Sequence, residues 1–140
     1  MTILKNQIKQ NEEFISQIRN KIEDSNEKDI LIFIHGFNVE FNEAIYRTAQ
    51  LGYDLCFRRA VNAFAWPSQG TFSGYLADMD TAKNSALFLK EFIKKLITQT
   101  QAQKLHIIAH SMGNVVLTEA LTLLKGEGVF PSDIFNQIIF

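Results

Sequence analysis

The stretch that most constrains this chain is 104–124, KLHIIAHSMGNVVLTEALTLL. Its pattern predicts a short apolar strand over 105–109, a sharp turn at His110-Ser111-Met112 and an apolar helix from Gly113 onward. The centre, Ala109-His110-Ser111-Met112-Gly113, matches the G-x-S-x-G elbow, with alanine in place of the first glycine. Such an elbow needs small residues two before and two after the serine. The backbone bends so tightly there that larger side chains would collide with the neighbouring strand or helix. Alanine adds only a methyl group. The turn lifts the Ser111 hydroxyl off the sheet at the N-terminus of the following helix. Free N–H groups and the helix dipole favour developing negative charge at that point. The competing reading is a strand, a polar turn and a buried helix, with Ser111 serving only as an N-cap. The flanking strand and helix favour the elbow, because they are the context the motif demands.

The rest of the chain alternates in the same way. Leu4, Ile8, Ile15, Ile18 and Ile22 fall at helical spacing, so 4–22 reads as an amphipathic helix, followed by a polar connector to residue 28. Residues 30–34, ILIFI, form a continuous apolar run rich in β-branched residues, the mark of a buried parallel strand. His35-Gly36-Phe37-Asn38 follows at once. Phe41, Ile45, Ala49 and Tyr53 then predict a helix over 41–56. A second strand is predicted over 60–66 and is stopped by Pro67-Ser68-Gln69-Gly70, where Ser68 reads as a turn residue. Trp66, Phe72 and Tyr75 at this strand's exit either line an apolar pocket or cover the sheet edge. The longest helix is predicted over 78–98, with Ala82, Ala86, Leu89, Ile93 and Leu96 inward. Asp78 and Asp80 at its start suit the macrodipole in a capping role. After the elbow helix, 125–128 end the element. A loop with Pro131-Ser132-Asp133 leads to a fourth strand at 137–140.

Four α–β alternations predict one α/β domain over 1–140, with 1–28 leading into it. The expected architecture is a three-layer, doubly wound parallel sheet with helices on both faces and strand order second, first, third, fourth. It is incomplete at the C-terminus, since the chain stops inside the fourth strand. The switch point of such a sheet lies between the carboxyl ends of the first and third strands. Those ends carry His35-Gly36-Phe37 and His110-Ser111-Met112. The N–H groups of Phe37 and Met112 can therefore face one oxygen, which makes an oxyanion hole. His35, Gly36, His110 and Gly113 are expected to support the loop and the elbow, with His35 structural rather than catalytic.

Composition narrows the partners. A formal charge of −1, with Lys and Arg scattered along the chain, leaves no footprint for nucleic acid or an anionic membrane surface. No run approaches the length of a membrane span, and the N-terminus has no apolar leader segment, so a cytoplasmic protein is expected. The lone Cys56 precludes an internal disulfide; at the end of a helical pattern it reads as a buried or partly buried inert thiol.

FIHGFN (33–38), AFAWPSQG (63–70), the Tyr75…Asp78 region and IIAHSMGN (107–114) together resemble α/β-hydrolases, over about 30–140. More narrowly, they resemble the bacterial esterase/lipase-like family of α/β-hydrolases of unknown function. The resemblance implies Ser111 as nucleophile and Phe37 and Met112 as oxyanion donors. It implies hydrolysis of a small-molecule ester or related acyl substrate, with no metal and no organic cofactor. The usual order in such enzymes is serine, acid, histidine. Here no histidine follows Ser111, and the later acids are Glu119, Glu127 and Asp133. Glu119 belongs to the elbow helix, and Asp133 falls near the amino end of the fourth strand, opposite the site. His35 or His110 would have to be recruited as the base. The expectation is the amino-terminal part of a serine hydrolase, inactive or weak as this short chain. The alternative is a non-catalytic binding or scaffold module. A flavodoxin-like nucleotide site is disfavoured, because the loop after the first strand lacks a glycine-rich phosphate cradle. The unpaired edge at 137–140 is expected to promote self-association.

Overall fold

In the computed structural model, which describes residues 2–69, 71–128 and 133–140, four helices and four strands alternate along the chain. The side chains of Leu4, Ile8 and Phe72, and all of Gly70, Pro131 and Ser132, lie outside the described residues. Helix α1 (Thr2–Glu23) buries Ile15, Ile18 and Ile22, one stripe at helical spacing. Strand β1 (Asp29–Ile34) is buried along its whole length. It has to be: β1 sits inside the sheet, between β2 (Ala60–Phe64) and β3 (Lys104–Ala109), and elements cover both of its faces. Strand β4 (Phe135–Ile139) completes a parallel sheet of order β2-β1-β3-β4, the order expected for a doubly wound arrangement.

The two faces follow from the strand period of two. Ile30, Ile32 and Ile34 of β1 and Leu105, Ile107 and Ala109 of β3 point into the main core. There they meet α1, helix α3 (Tyr75–Gln99) and helix α4 (Gly113–Gly126). Ala82, Ala86, Leu89, Ile93 and Leu96 of α3 and Val116, Leu117, Ala120 and Leu124 of α4 are fully buried. Each large member contributes about 1.5–3 kcal/mol by leaving water. Phe33 and Ile108 point to the opposite face, toward Leu51 of helix α2 (Phe41–Asp54). Helices therefore lie on both faces, and the three layers are complete.

Register positions the site. Ile34 is paired with Ala109, so β1 and β3 end level. The His110 N–H donates to Ile34 O at 3.0 Å and carries the ladder one residue further. Residues 35–38 and 110–112 consequently leave the sheet side by side.

Several elements differ from expectation. Helix α2 buries Ala44, Thr48 and Gly52, not the stripe of Phe41, Ile45, Ala49 and Tyr53. Phe41 is 66% and Tyr53 81% exposed. The small face wins because it allows close approach: a Cβ on Gly52 would lie 3.0 Å from the Val61 side chain of β2. Cys56 is exposed, at φ 51°, because α2 ends at Asp54 and leaves it in the exit turn. Strand β2 stops at Phe64, short of Trp66, and α3 starts at Tyr75, ahead of Asp78. Asp78 makes no N-cap; the N-cap position is Gly74, without a side-chain bond. Strand β4 begins at Phe135 after a register shift between Leu105 and His106. It lies at the sheet edge, with Ile139 and Phe140 more than half exposed.

Candidate active site

Ser111 sits at φ 54°, in the left-handed region. That conformation costs a non-glycine residue about 1–2 kcal/mol, and the surroundings must hold it. The holding bonds are visible. Gly113 N–H donates to His110 O at 2.9 Å, Asn114 N–H to Ser111 O at 3.0 Å and Val115 N–H to Met112 O at 3.0 Å. Successive turns thus convert strand into helix within three residues, and the Ser111 side chain is left exposed.

The glycines act by making room. A Cβ on Gly113 would lie 2.6 Å from His35 O and 2.7 Å from Ile34 O, both fixed backbone atoms. A Cβ on Gly36 would lie 2.8 Å from both His110 O and Ser111 Cβ. The loop after β1 and the elbow after β3 are therefore pressed together, with no space between them for a side chain. Neither the Phe37 nor the Met112 N–H donates a hydrogen bond among the described residues, although Met112 is buried.

His35 is buried and carries structure. Its Nε2 accepts from the Trp66 N–H at 3.0 Å, so the ring proton is on Nδ1, which donates to Gly36 O at 2.9 Å. The Trp66 indole N–H donates to His35 O at 2.7 Å, and the two rings stack at 5.1 Å. A trans peptide is planar, so holding Gly36 O sets the opposite direction for the Phe37 N–H. Both ring nitrogens are occupied, which leaves none to take a proton from Ser111. Burial lowers the His35 pKa below its ordinary 6.5 and outweighs the bond to Gly36, which favours the charged form. The unfolded chain then binds the proton more tightly than the native one. Stability is full above about pH 6.5 and falls as pH drops through the lowered native value. Thermal unfolding midpoints measured from pH 7.5 to 5 are expected to fall more steeply for the native sequence than for His35→Asn. Equal slopes would contradict this role.

Trp66 is turned into that stack and does not line the cavity beside Ser111. Tyr75 is half exposed and meets the Phe37 ring edge-on at 5.3 Å. The cavity beside Ser111 has a volume of about 740 Å³ and opens on the α2 side of the sheet. Its wall includes His110, Asn114, Phe33, Leu51 and Ile139. Asn114 Oδ1 is buried there with no hydrogen-bond partner among the described residues. Sequence reasoning passed over Asn114, and its place directly after Gly113 at the start of α4 was the available signal.

Ser68 and Asp78 were also underread. Asp78 is fully buried; Oδ2 accepts from Ser68 Oγ at 2.7 Å, and Oδ1 from the Gln69 N–H at 2.9 Å. Ser68 Oγ in turn accepts from the Asn38 N–H at 3.1 Å. The serine is a bridge between two segments, beyond the turn role its neighbours suggested. An acidic residue ten positions after a Pro-Ser pair was the available clue.

No histidine is hydrogen-bonded to Ser111 Oγ among the described residues. His110 is exposed, with its Nδ1 close to Gly36. His106 pairs with Asp29 at 3.1 Å beside a separate cavity of about 290 Å³. It lies five residues before Ser111 on the strand path, roughly 15 Å away at the rise of a β-strand. Glu127 binds Lys90 and, at 2.9 Å, Lys94, clamping the end of α4 to α3.

Among the described residues, no helix is long and apolar enough to cross a membrane. An uncharacterized protein from a Nostoc species is 26% identical over an alignment of 136 residues that covers 79% of this chain and 35% of that protein. The chain thus spans about a third of the length of this curated relative. No solved structure matches it. The family model described as alpha/beta hydrolase of unknown function matches residues 10–140. That match takes in all four strands, the strained Ser111 turn and the loop pressed against it, and the chain belongs to this alpha/beta hydrolase family of unknown function (DUF900).

Proposed function

We propose that this domain carries the nucleophile and oxyanion half of a serine hydrolase acting on small-molecule esters or related acyl compounds in the cytoplasm. The observation that carries the reading is Ser111 at φ 54° between a strand and a helix that each bury one face in the core. A strained, exposed serine held so firmly suits attack more than capping. Ser111 Oγ would add to the acyl carbon and the alcohol would leave. The resulting acyl-serine would then be hydrolysed by water. The Phe37 and Met112 N–H groups would receive the oxygen charge; a donor of this kind lowers a barrier by about 3–4 kcal/mol.

Serine also needs a base, because its hydroxyl is a weak nucleophile near neutral pH. His35 is committed to Trp66 and Gly36. We therefore assign the base and its acid partner to a further part of a longer chain, of the kind the length of the Nostoc relative suggests. The exposed edge of β4 would be where such a part, or a second copy, pairs. The test is pre-steady-state hydrolysis of p-nitrophenyl acetate by the full-length protein. A burst of nitrophenolate close to one per chain, followed by slow turnover, is expected. Hydrolysis without a burst, together with no acyl adduct on Ser111 after acid quench, would count against an acyl-serine.

A further inference from the structure

Resting on the hydrolase reading above, we infer that Asp78, acting through Ser68, is a positioning residue that holds the oxyanion loop in its working conformation. The hydrogen-bond chemistry leaves one polarity. The Asn38 N–H can only donate, and the Asp78 carboxylate accepts from the Gln69 N–H as well. The Ser68 hydroxyl proton must therefore point at Asp78, and its lone pair at Asn38. Ser68 is thereby a fixed relay of orientation between the start of α3 and the loop after β1, and its hydroxyl is unavailable for other chemistry.

The loop needs such a tether. Asn38 is held at φ 57°, a conformation that must be imposed. Gly36 is pinned from one side by the elbow and by His35. On the other side the Phe37 ring meets Tyr75 edge-on and the Asn38 N–H donates to Ser68. Both anchors lead to the first turn of α3. Together they fix the backbone on either side of Phe37, the residue whose N–H is the loop's proposed donor. The full burial of Asp78 keeps water from competing with Ser68 for its carboxylate. The N-terminal end of α3 also favours a negative charge there.

The experiment uses the full-length protein with p-nitrophenyl butyrate and an aryl trifluoromethyl ketone, which adds to serine as a tetrahedral oxyanion. Rates are normalised to burst amplitude, so that lost fold does not count as lost positioning. Ser68→Ala is expected to lower kcat about 10- to 100-fold with KM nearly unchanged, and to weaken the ketone by a similar factor. Ser68→Thr, which keeps the hydroxyl, should recover most of both. Asp78→Asn keeps the volume but offers an N–H₂ where one acceptor stood, so it should show a smaller loss of the same kind. Unchanged kcat and ketone affinity in Ser68→Ala would overturn the inference, as would a threonine variant no better than alanine. Ser111→Ala in the same assays separates the two levels. If it is inactive while Ser68→Ala is normal, only the positioning role fails; if it turns over normally, the hydrolase reading fails and takes this one with it.

Discussion

Replacing Ser111 with alanine in the full-length protein is expected to lower kcat for p-nitrophenyl ester hydrolysis by about 10³- to 10⁶-fold. The thermal midpoint should hardly move. The side chain is exposed, and Ser111 Oγ makes no hydrogen bond among the described residues. The left-handed backbone at φ 54° is equally strained for serine and alanine, so that cost cancels. A large loss of rate with little loss of stability is the signature of a group that acts only on the reacting atoms. Residual turnover would come from the Phe37 and Met112 N–H groups, which the substitution leaves in place. A large drop in stability with rate preserved per folded molecule would instead assign Ser111 a capping role.

The second large effect is expected at Gly36. Gly36→Val should reduce acyl transfer by about one to three orders of magnitude, and it should do so through the elbow as well as the loop. Gly36 has no left-handed φ, but a Cβ added there would sit 2.8 Å from His110 O and from Ser111 Cβ. A branched side chain must push β3's exit away from β1's exit, parting Ser111, the proposed nucleophile, from the proposed Phe37 donor. Measured kcat should fall much more than KM rises. Turnover equal to the native enzyme in a folded Gly36→Val protein would remove this loop from the oxyanion site.

How much could be read in advance depends on range. The strand order and the meeting of 35–37 with 110–112 were legible because continuous apolar runs, a small-residue elbow and right-handed crossovers leave few alternatives. The burial of Ala82 to Leu96 on one stripe of α3 was legible for the same local reason. The face of α2 was not. Its larger residues suggested one stripe, whereas close packing against Val61 selected the smaller one. The Asp78–Ser68–Asn38 bridge was not legible either, because it joins segments 10 and 30 residues apart through side-chain directions that no periodicity encodes. Asp78 in the first turn of a helix looked like a dipole partner, and burial gives it a second task. Likewise the stack of His35 on Trp66, and the bonds that engage its two ring nitrogens, Nε2 with the Trp66 N–H and Nδ1 with Gly36 O, are visible only in three dimensions.

The most direct test of the central claim is covalent labelling with a fluorophosphonate, followed by mass analysis of the peptide that contains Ser111. In the full-length protein the account predicts stoichiometric labelling at Ser111, abolished in Ser111→Ala. In the 140-residue chain it predicts slow labelling or none, since His35 is occupied and no histidine is bonded to Ser111 Oγ among the described residues. Rapid stoichiometric labelling of the 140-residue chain, lost in His110→Ala or His35→Ala, would contradict it by showing that the base lies within these residues. Absence of any adduct on Ser111 in the full-length protein would contradict the nucleophile assignment itself.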